Sequence, residues 1–193
     1  MLRAVTFAHR MIRDMLRPGD CAVDATAGNG HDTLFLTRLT GPTGMVYAFE
    51  IQEAGCRATQ QLMEDQGISP SAWALVHASH ASMAAVIPAS HSGHIAVILF
   101  NLGYLPGGDK SITTRTDTTL AGVKTGLDLL RPGGLMVIVV YPGHPGGDME
   151  AAAVRAFAAG LSRPAWQAVD YLTLNSQTPA PGVIVIEKGN PPN

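Results

Sequence analysis

Cysteine and charge are both scarce in this sequence, and each shortage excludes a class of protein. The two cysteines, Cys21 and Cys56, form no paired-spacing motif, which argues against a disulfide framework and favours a reducing compartment. Charged residues make up 15% of the chain and the net charge is −2, so the totals predict no general attraction to nucleic acid. A nucleic-acid partner would require a local basic patch.

Long apolar runs are also missing from the sequence. No run approaches the roughly 20 residues that cross a bilayer, so we expect no membrane span and no membrane partner. The N-terminus alternates apolar residues with Arg3, His9, Arg10, Arg13 and Asp14, and it therefore lacks the uninterrupted apolar stretch of a signal peptide. These absences together predict a cytoplasmic protein.

The chain does contain a regular alternation of short apolar strands and helices. Its 193 residues, 46% of them hydrophobic, suffice for one core and leave little for a second. We therefore expect a single domain over residues 1–193, with an N-terminal helix in 1–18 and a tail at 189–193. The predicted strands are 21–25, 45–49, 72–77, 95–100, 135–141, 168–174 and 182–187.

The order of these elements predicts an α/β fold. Each of the first five strands is followed by a helix or turn, which is typical of a parallel sheet with helices on both faces. A tight turn is predicted at 131–134, before the fifth strand. The last two strands are separated by a loop too short for a crossover helix, so they must pair as an antiparallel hairpin. A mostly parallel seven-stranded sheet that ends in such a hairpin is the usual layout of the Rossmann-like class I methyltransferases.

A glycine-rich turn at 24–30 follows the first predicted strand. Gly28 and Gly30 let the backbone turn sharply and approach a ligand closely. Asp24, four residues before Gly28, would lie near the cationic methionine part of a nucleoside cofactor. Glu50, at the end of the second strand, can accept hydrogen bonds from ribose hydroxyls.

The same turn favours S-adenosylmethionine over a dinucleotide. The third glycine of the dinucleotide fingerprint is absent, because Asp32 and Thr33 occupy that region, and an acid there disfavours a phosphate. Ser79 and His80, after the third strand, lie where adenine is usually contacted. The full set of predicted cofactor-binding residues is Asp24, Ala27, Gly28, Asn29, Gly30, Asp32, Thr33, Glu50, Ser79, His80 and Asn101. The pairs His77/His80 and His91/His94 have no consistent third ligand, so we predict no metal site.

The stretch from Asn101 to Tyr104 follows the fourth strand and looks like a variant of the Asn/Asp-Pro-Pro-Tyr motif of methyltransferases that act on amino groups. In that motif the amide oxygen accepts a hydrogen bond from the acceptor nitrogen and the aromatic ring stacks on the base. The two prolines of the motif are replaced here by Leu102 and Gly103. A turn-capping role for Asn101 is the alternative.

Two further glycine-rich loops, 106–110 and 141–147, are predicted to meet at the same edge of the sheet and to bind substrate. Asp109 or His144 could remove a proton from an ammonium group, because only a neutral amine has a lone pair for methyl transfer. Lys110 and Arg115, with Arg10, Arg13 and Arg17, could form a phosphate-contacting surface. Turn formation and a solvated face are the alternatives.

With these motifs assembled, the chain resembles a bacterial family labelled rRNA methylases and associated with tRNA 5-(aminomethyl)uridine methyltransferase activity. The matching stretches are VDATAGNGHDTLFL (23–36), FNLGYLPGGDKSITT (100–114), LLRPGGLMVIVVYPGHPGG (129–147) and PGVIVIEK (181–188). The resemblance implies methyl transfer from S-adenosylmethionine to the exocyclic amine of 5-aminomethyl-(2-thio)uridine at the wobble position of tRNA. It also implies that the acceptor site is lined by Asn101, Gly103, Tyr104, Asp109, Lys110 and His144.

Other functions stay open from the sequence. A small-molecule amine methyltransferase or an rRNA methyltransferase can use the same fold, and a nicotinamide-dependent oxidoreductase is a more distant alternative. A non-catalytic cofactor-binding protein is a further one. A homodimer is a hypothesis, because a second subunit would widen the surface available to RNA.

Overall fold

The computed structural model describes residues 2–109 and 111–190. Within these residues the strands are β1 (Cys21–Asp24), β2 (Met45–Glu50), β3 (Trp73–His77), β4 (Ile95–Asn101), β5 (Leu130–Val140), β6 (Trp166–Tyr171) and β7 (Gly182–Lys188). The α-helices are α1 (Ala4–Met15), α2 (His31–Thr40), α3 (Glu53–Asp65), α4 (Met83–Val86), α5 (Thr116–Leu129) and α6 (Gly147–Ala159). Short 3₁₀ turns lie at Pro70–Ala72 and His80–Ser82.

The seven strands form one sheet in the order β3-β2-β1-β4-β5-β7-β6. The pairs β1–β2, β1–β4, β2–β3 and β4–β5 are parallel, whereas β7 runs antiparallel to both β5 and β6. The predicted hairpin is therefore present, with Trp166 opposite Lys188 and Tyr171 opposite Val183. The strand order reverses between β1 and β4, which places the carboxyl ends of these strands beside an open crevice.

The core lies in two layers on opposite faces of the sheet. In β4, Ile98 and Phe100 pack in the layer formed with α4–α6, while Val97 and Leu99 pack in the layer formed with α1–α3. Every residue from Ile95 to Phe100 is buried, because both faces of a central parallel strand are covered by helices. This continuous burial fixes the height at which β4 ends and Asn101 begins the next loop.

The predicted bounds were wrong in two regions, the start of β5 and both ends of β6. Residues 131–134 were expected to form a turn outside the sheet, but they bulge within β5, so that Ile95 lies opposite Leu130 and Val97 opposite Leu135. An ion pair between Arg131 and Asp20, 2.6 Å apart, holds this bulge against the start of β1. The edge strand β6 begins before the predicted 168 and ends at Tyr171 instead of 174, because its pairing with β7 ends there.

No helix in the described parts of the chain is long and apolar enough to cross a membrane.

Replacement of a β4 core residue tests the two-layer packing. We expect Ile98→Ala to lower the free energy of unfolding by about 3 kcal/mol, because it leaves a cavity in a fully buried position. The control is Val169→Ala on β6, where the side chain is 50% exposed and the expected change is below about 0.5 kcal/mol. Urea denaturation measures both values, and equal losses would contradict the assignment of the core.

Candidate functional site

A cavity of about 660 Å³ lies at the carboxyl ends of β1, β2, β4 and β5, a volume typical of small-molecule sites. Most residues predicted for cofactor or substrate come together on its walls. These are Ala27, Gly28, Asn29, Asp32, Glu50, Ser79, His80, Asn101, Gly103, Tyr104, Arg115 and His144. Asp24, Gly30, Thr33 and Asp109 are not on the walls, and Lys110 lies outside the described residues.

The glycine turn is closed by the carboxylate of Glu50. The backbone N–H of Gly28 donates to Glu50 Oε2 at 2.8 Å, and the N–H of Gln52 donates to Oε1 at 2.7 Å. Each carboxylate oxygen can accept more than one hydrogen bond, so Glu50 keeps acceptor capacity toward the cavity that it lines. Gly55 packs against this carboxylate, and an added Cβ there would lie 2.8 Å from Glu50 Cγ.

Gly30 supports the turn without facing the cavity. Its φ is +83°, and an added Cβ would lie 2.9 Å from the Cα of Thr59 in α3. The Thr59 hydroxyl donates to the Gly28 carbonyl at 3.0 Å. Gly30 is therefore required for the close approach of α3 to the turn. From the sequence we had expected this glycine to allow the approach of a ligand.

Asp24 lies beneath the cavity and is fully buried. Its carboxylate accepts hydrogen bonds from the Thr33 hydroxyl at 2.6 Å and from the Thr26 N–H at 3.1 Å. Burial, followed by the nearby negative charge of Asp32, raises the pKa of Asp24 to about 7. Asp24 is not on the cavity wall, but it contacts Thr26, which is.

Asp32 connects three elements at the cavity. Its Oδ1 is 2.7 Å from Nε2 of His9 on α1, and its Oδ2 accepts a hydrogen bond from Nδ2 of Asn101 at 3.0 Å. The backbone N–H of Asn101 donates to the Thr26 hydroxyl at 2.7 Å. A carboxylate oxygen can only accept, so this contact places the amide nitrogen of Asn101 on Asp32 and leaves the amide oxygen for other partners.

Ser79 and His80 follow β3 on another wall of the cavity. The Ser79 hydroxyl accepts from the Ala81 N–H at 3.2 Å and so caps the 3₁₀ turn. Nδ1 of His80 is 3.1 Å from the Ala25 carbonyl, and burial lowers the pKa of His80. A neutral ring that donates from Nδ1 fits this contact. Among the described residues no group of three His, Cys, Asp or Glu side chains could hold a metal ion.

The outer rim of the cavity carries Tyr104 and His144. Tyr104 is 45% exposed, and its ring meets the His144 ring edge-to-face, with centroids 6.3 Å apart. The amide of Asn29 donates to the Pro106 carbonyl at 3.1 Å, which ties the loop after Tyr104 to the glycine turn. The rim therefore contacts both the glycine turn at 24–30 and the loop at 141–147.

Asp109 does not reach this rim. Its carboxylate accepts hydrogen bonds from the Ser111 hydroxyl at 2.7 Å and from the Ser111 N–H at 2.8 Å. These two bonds lower the pKa of Asp109, which makes it a weaker proton acceptor. The structure thus shows Asp109 in a local turn, which was the alternative to a role as base, and the role as base stays an untested prediction.

Sequence reasoning missed a buried carboxylate behind the loop. Glu150, 2% exposed, accepts hydrogen bonds from the hydroxyls of Thr114 and Thr119 at 2.7 and 2.6 Å. The Thr114 hydroxyl also accepts from the Gly103 N–H at 2.9 Å. Glu150 therefore anchors both ends of the Gly103–Thr114 loop. An acid in the first turn of α6 was the available signal, but its partners are more than 30 residues away.

The chain is similar to known methyltransferases in sequence. The family model described as "Putative rRNA methylase" matches residues 46–187. The chain is 38% identical over 181 residues to "tRNA (mnm(5)s(2)U34)-methyltransferase, chloroplastic" of Arabidopsis thaliana, and the match covers 90% of this chain. The chain spans 65% of the length of that relative.

Two solved structures match nearly the whole chain. A "putative rRNA-methylase" from Clostridium thermocellum is 32% identical with a TM-score of 0.92, and the match covers 97% of this chain and 98% of that one. A "putative methyltransferase" from Streptococcus mutans, solved in complex with SAH, is 32% identical with a TM-score of 0.86, over 97% and 99% of the two chains. These matches confirm the predicted Rossmann-like methyltransferase fold.

The raised pKa of Asp24 predicts a pH-dependent stability. Since the pKa rises from 3.8 in the unfolded chain to about 7 in the folded protein, folding becomes less favourable as pH rises from about 4 to about 7. Asp24→Asn removes this cost and keeps an acceptor for the Thr26 N–H. We expect its Tm relative to the wild type to be higher at pH 8 than at pH 5. A Tm difference that does not change between these pH values would contradict the raised pKa.

Proposed function

This chain belongs to the family described as "Putative rRNA methylase", and on that premise we propose that it transfers the methyl group of S-adenosylmethionine to an amine on a tRNA base. The acceptor we propose is the exocyclic amine of 5-aminomethyl-(2-thio)uridine at the wobble position. The name of the Arabidopsis relative, a tRNA methyltransferase for the U34 position, supports this choice. The SAH held by the Streptococcus mutans protein supports the cofactor.

The observation that carries the proposal is the orientation of Asn101 at the end of β4. Its amide nitrogen is engaged by Asp32 at 3.0 Å, so the amide oxygen is the end available to the N–H of an amine substrate. Asn101 lies on the cavity wall, with Tyr104 on the rim beyond it. An acceptor for an amine next to an aromatic platform is the arrangement that aims a nitrogen lone pair at a methyl group.

The charges of the cavity fit S-adenosylmethionine, which carries positive charge and no phosphate. The wall formed by the glycine turn contains Asp32 and no lysine or arginine, and Glu50 lies beside it. Glu50 would accept hydrogen bonds from the ribose hydroxyls, and the wall that carries Ser79 and the buried His80 would receive the adenine. When bound, the cofactor supplies the electrophilic methyl group.

The residues of this chain would act mainly by positioning. The amine must lose its proton before transfer, and the base we propose for this step is His144, because it lies on the cavity wall beside Tyr104. Alignment of the nitrogen with the methyl group, in a site from which water is excluded, can supply much of the rate. A wobble base lies in a single-stranded loop, so stacking on Tyr104 requires no duplex opening.

The outer face of α1 supports an RNA substrate. Arg10 and Arg13 lie on one side of this helix, because a spacing of three residues returns to the same face, and Arg3 and Arg17 flank the helix in sequence. All four side chains are exposed, and the segment contains one acid, Asp14. This local positive charge contrasts with the net charge of −2 for the whole chain and fits a sugar-phosphate backbone.

Nucleoside analysis by mass spectrometry tests the proposed reaction. We expect incubation with S-adenosylmethionine and tRNA carrying 5-aminomethyluridine to yield 5-methylaminomethyluridine. Asn101→Ala should abolish this turnover and leave the Kd for the cofactor nearly unchanged, because the residue acts on the acceptor. If the protein methylates a free amine or rRNA but not this tRNA, the proposed substrate is wrong and the methylated molecule takes its place. Equal loss of turnover and cofactor affinity in Asn101→Ala would contradict its role.

The basic face of α1 makes a separate prediction about salt. We expect the double variant Arg10→Ala/Arg13→Ala to raise KM for tRNA about tenfold near physiological salt and to reduce the slope of log K against log salt by about 2, one for each lost phosphate contact. The matched control is Arg57→Ala/Arg163→Ala, which removes the same charge from other exposed sites. An equal effect of both double variants would assign the change to net charge alone.

A further inference from the structure

We propose that His9 on α1 is a positioning residue for methyl transfer, which acts through Asp32 to fix the amide of Asn101. The inference rests on the proposed function, because it concerns the same acceptor site. His9 is not on the cavity wall, so it would touch neither cofactor nor substrate. Its effect would reach the Asn101 amide through two successive hydrogen bonds, and the reacting amine through the bond that this amide would make to it.

The two bonds use opposite oxygens of one carboxylate. Nε2 of His9 lies 2.7 Å from Oδ1 of Asp32, and Nδ2 of Asn101 lies 3.0 Å from Oδ2. Since a carboxylate oxygen has no proton to donate, His9 donates from Nε2 and Asn101 donates from its amide nitrogen. The carboxylate therefore cannot rotate toward one partner without weakening its bond to the other.

His9 is itself held in place by packing. Its ring stacks on the Phe35 ring of α2, with centroids 4.0 Å apart and planes 13° apart. The neighbouring residue Ala8 and the residue one turn later, Ile12, are fully buried against the sheet. A ring fixed between two packed helices can orient a carboxylate more strictly than a flexible surface side chain can.

The surroundings of Asp32 explain why this donor is needed. Asp32 is 8% exposed, so water contributes little to its hydrogen bonding. Charge-assisted hydrogen bonds are about twice as strong as neutral ones. Without His9, the Asp32 carboxylate would keep Asn101 as its only side-chain partner among the described residues, and the Asn101 amide would lose its fixed orientation.

Two substitutions separate the hydrogen bond from the packing. His9→Phe keeps a flat ring for Phe35 but has no donor, whereas His9→Gln keeps a donor at the position of Nε2 but has no ring. We expect His9→Phe to lower kcat on tRNA 10- to 100-fold, with KM for tRNA and the cofactor Kd within threefold of the wild type. His9→Gln should retain kcat within about threefold. His9→Asn, whose amide is too short to reach Asp32, covers the case in which His9→Phe fails to fold, and it should lose kcat in the same way.

The outcomes are distinct. Wild-type kcat in both His9→Phe and His9→Asn would overturn the proposal, as would a kcat in His9→Gln as low as in His9→Phe, which would assign the effect to ring packing. Parallel losses of Tm, cofactor affinity and kcat would assign it to folding. These comparisons require a wild type that methylates the tRNA, and its failure to do so would count against the proposed function instead.

A measurement that needs no turnover tests the hydrogen-bond path from His9 through Asp32 to Asn101 directly. With asparagine labelled by ¹⁵N, the side-chain amide signal of Asn101, assigned by its loss in Asn101→Ala, should shift in His9→Phe and stay near its wild-type position in His9→Gln. An unchanged Asn101 signal in His9→Phe would overturn the proposal, whatever the substrate.

Discussion

The site depends on how closely the turn after β1 approaches the end of β2. The N–H of Gly28 reaches the Glu50 carboxylate at 2.8 Å, and this distance is possible only because neighbouring positions have no side chain. Gly30 faces Thr59 of α3 and Gly55 faces Glu50. A Cβ added at either glycine would lie less than 3.0 Å from an atom of the facing residue. Larger residues there would push α3 from the turn and open the wall that Glu50 closes.

Buried carboxylates organise the rest of the cavity, and each has a different kind of partner. Glu50 is held by backbone N–H groups, Glu150 by threonine hydroxyls, and Asp32 by His9 and Asn101. Asp24 accepts hydrogen bonds from a hydroxyl and a backbone N–H, which lower its pKa, but complete burial and the charge of Asp32 outweigh them and raise it. Acidic groups thus gather around the glycine turn and the end of β4, while Arg10 and Arg13 lie outside the cavity on α1 and Arg115 lies on another part of its wall. This separation suits a cationic cofactor inside and an anionic nucleic acid outside.

Asn101 illustrates what motif spacing could and could not predict. Its place after a fully apolar strand predicted that it would stand at the carboxyl edge of the sheet, and the structure places it on the cavity wall. The same reasoning predicted that Asp109, in the glycine-rich loop 106–110, would also stand at this edge. Its side chain instead turns back to Ser111. A strand fixes the position of the residue that follows it, whereas a residue eight positions further along a loop is free to satisfy its hydrogen bonds locally.

The sequence by itself determined the alternation of strands and helices, the final hairpin and the edge of the sheet where polar residues gather, because apolar periodicity and short loops are local properties. It did not determine the bulge at 131–134, the true neighbours of Gly30, or the partners of Glu150. Only the tertiary structure brought His9 to Asp32, and Asp32 to Asn101, across separations of 23 and 69 residues. Such hydrogen bonds leave no periodic pattern in the chain, since they are set by how α1, α2 and β4 pack on one sheet.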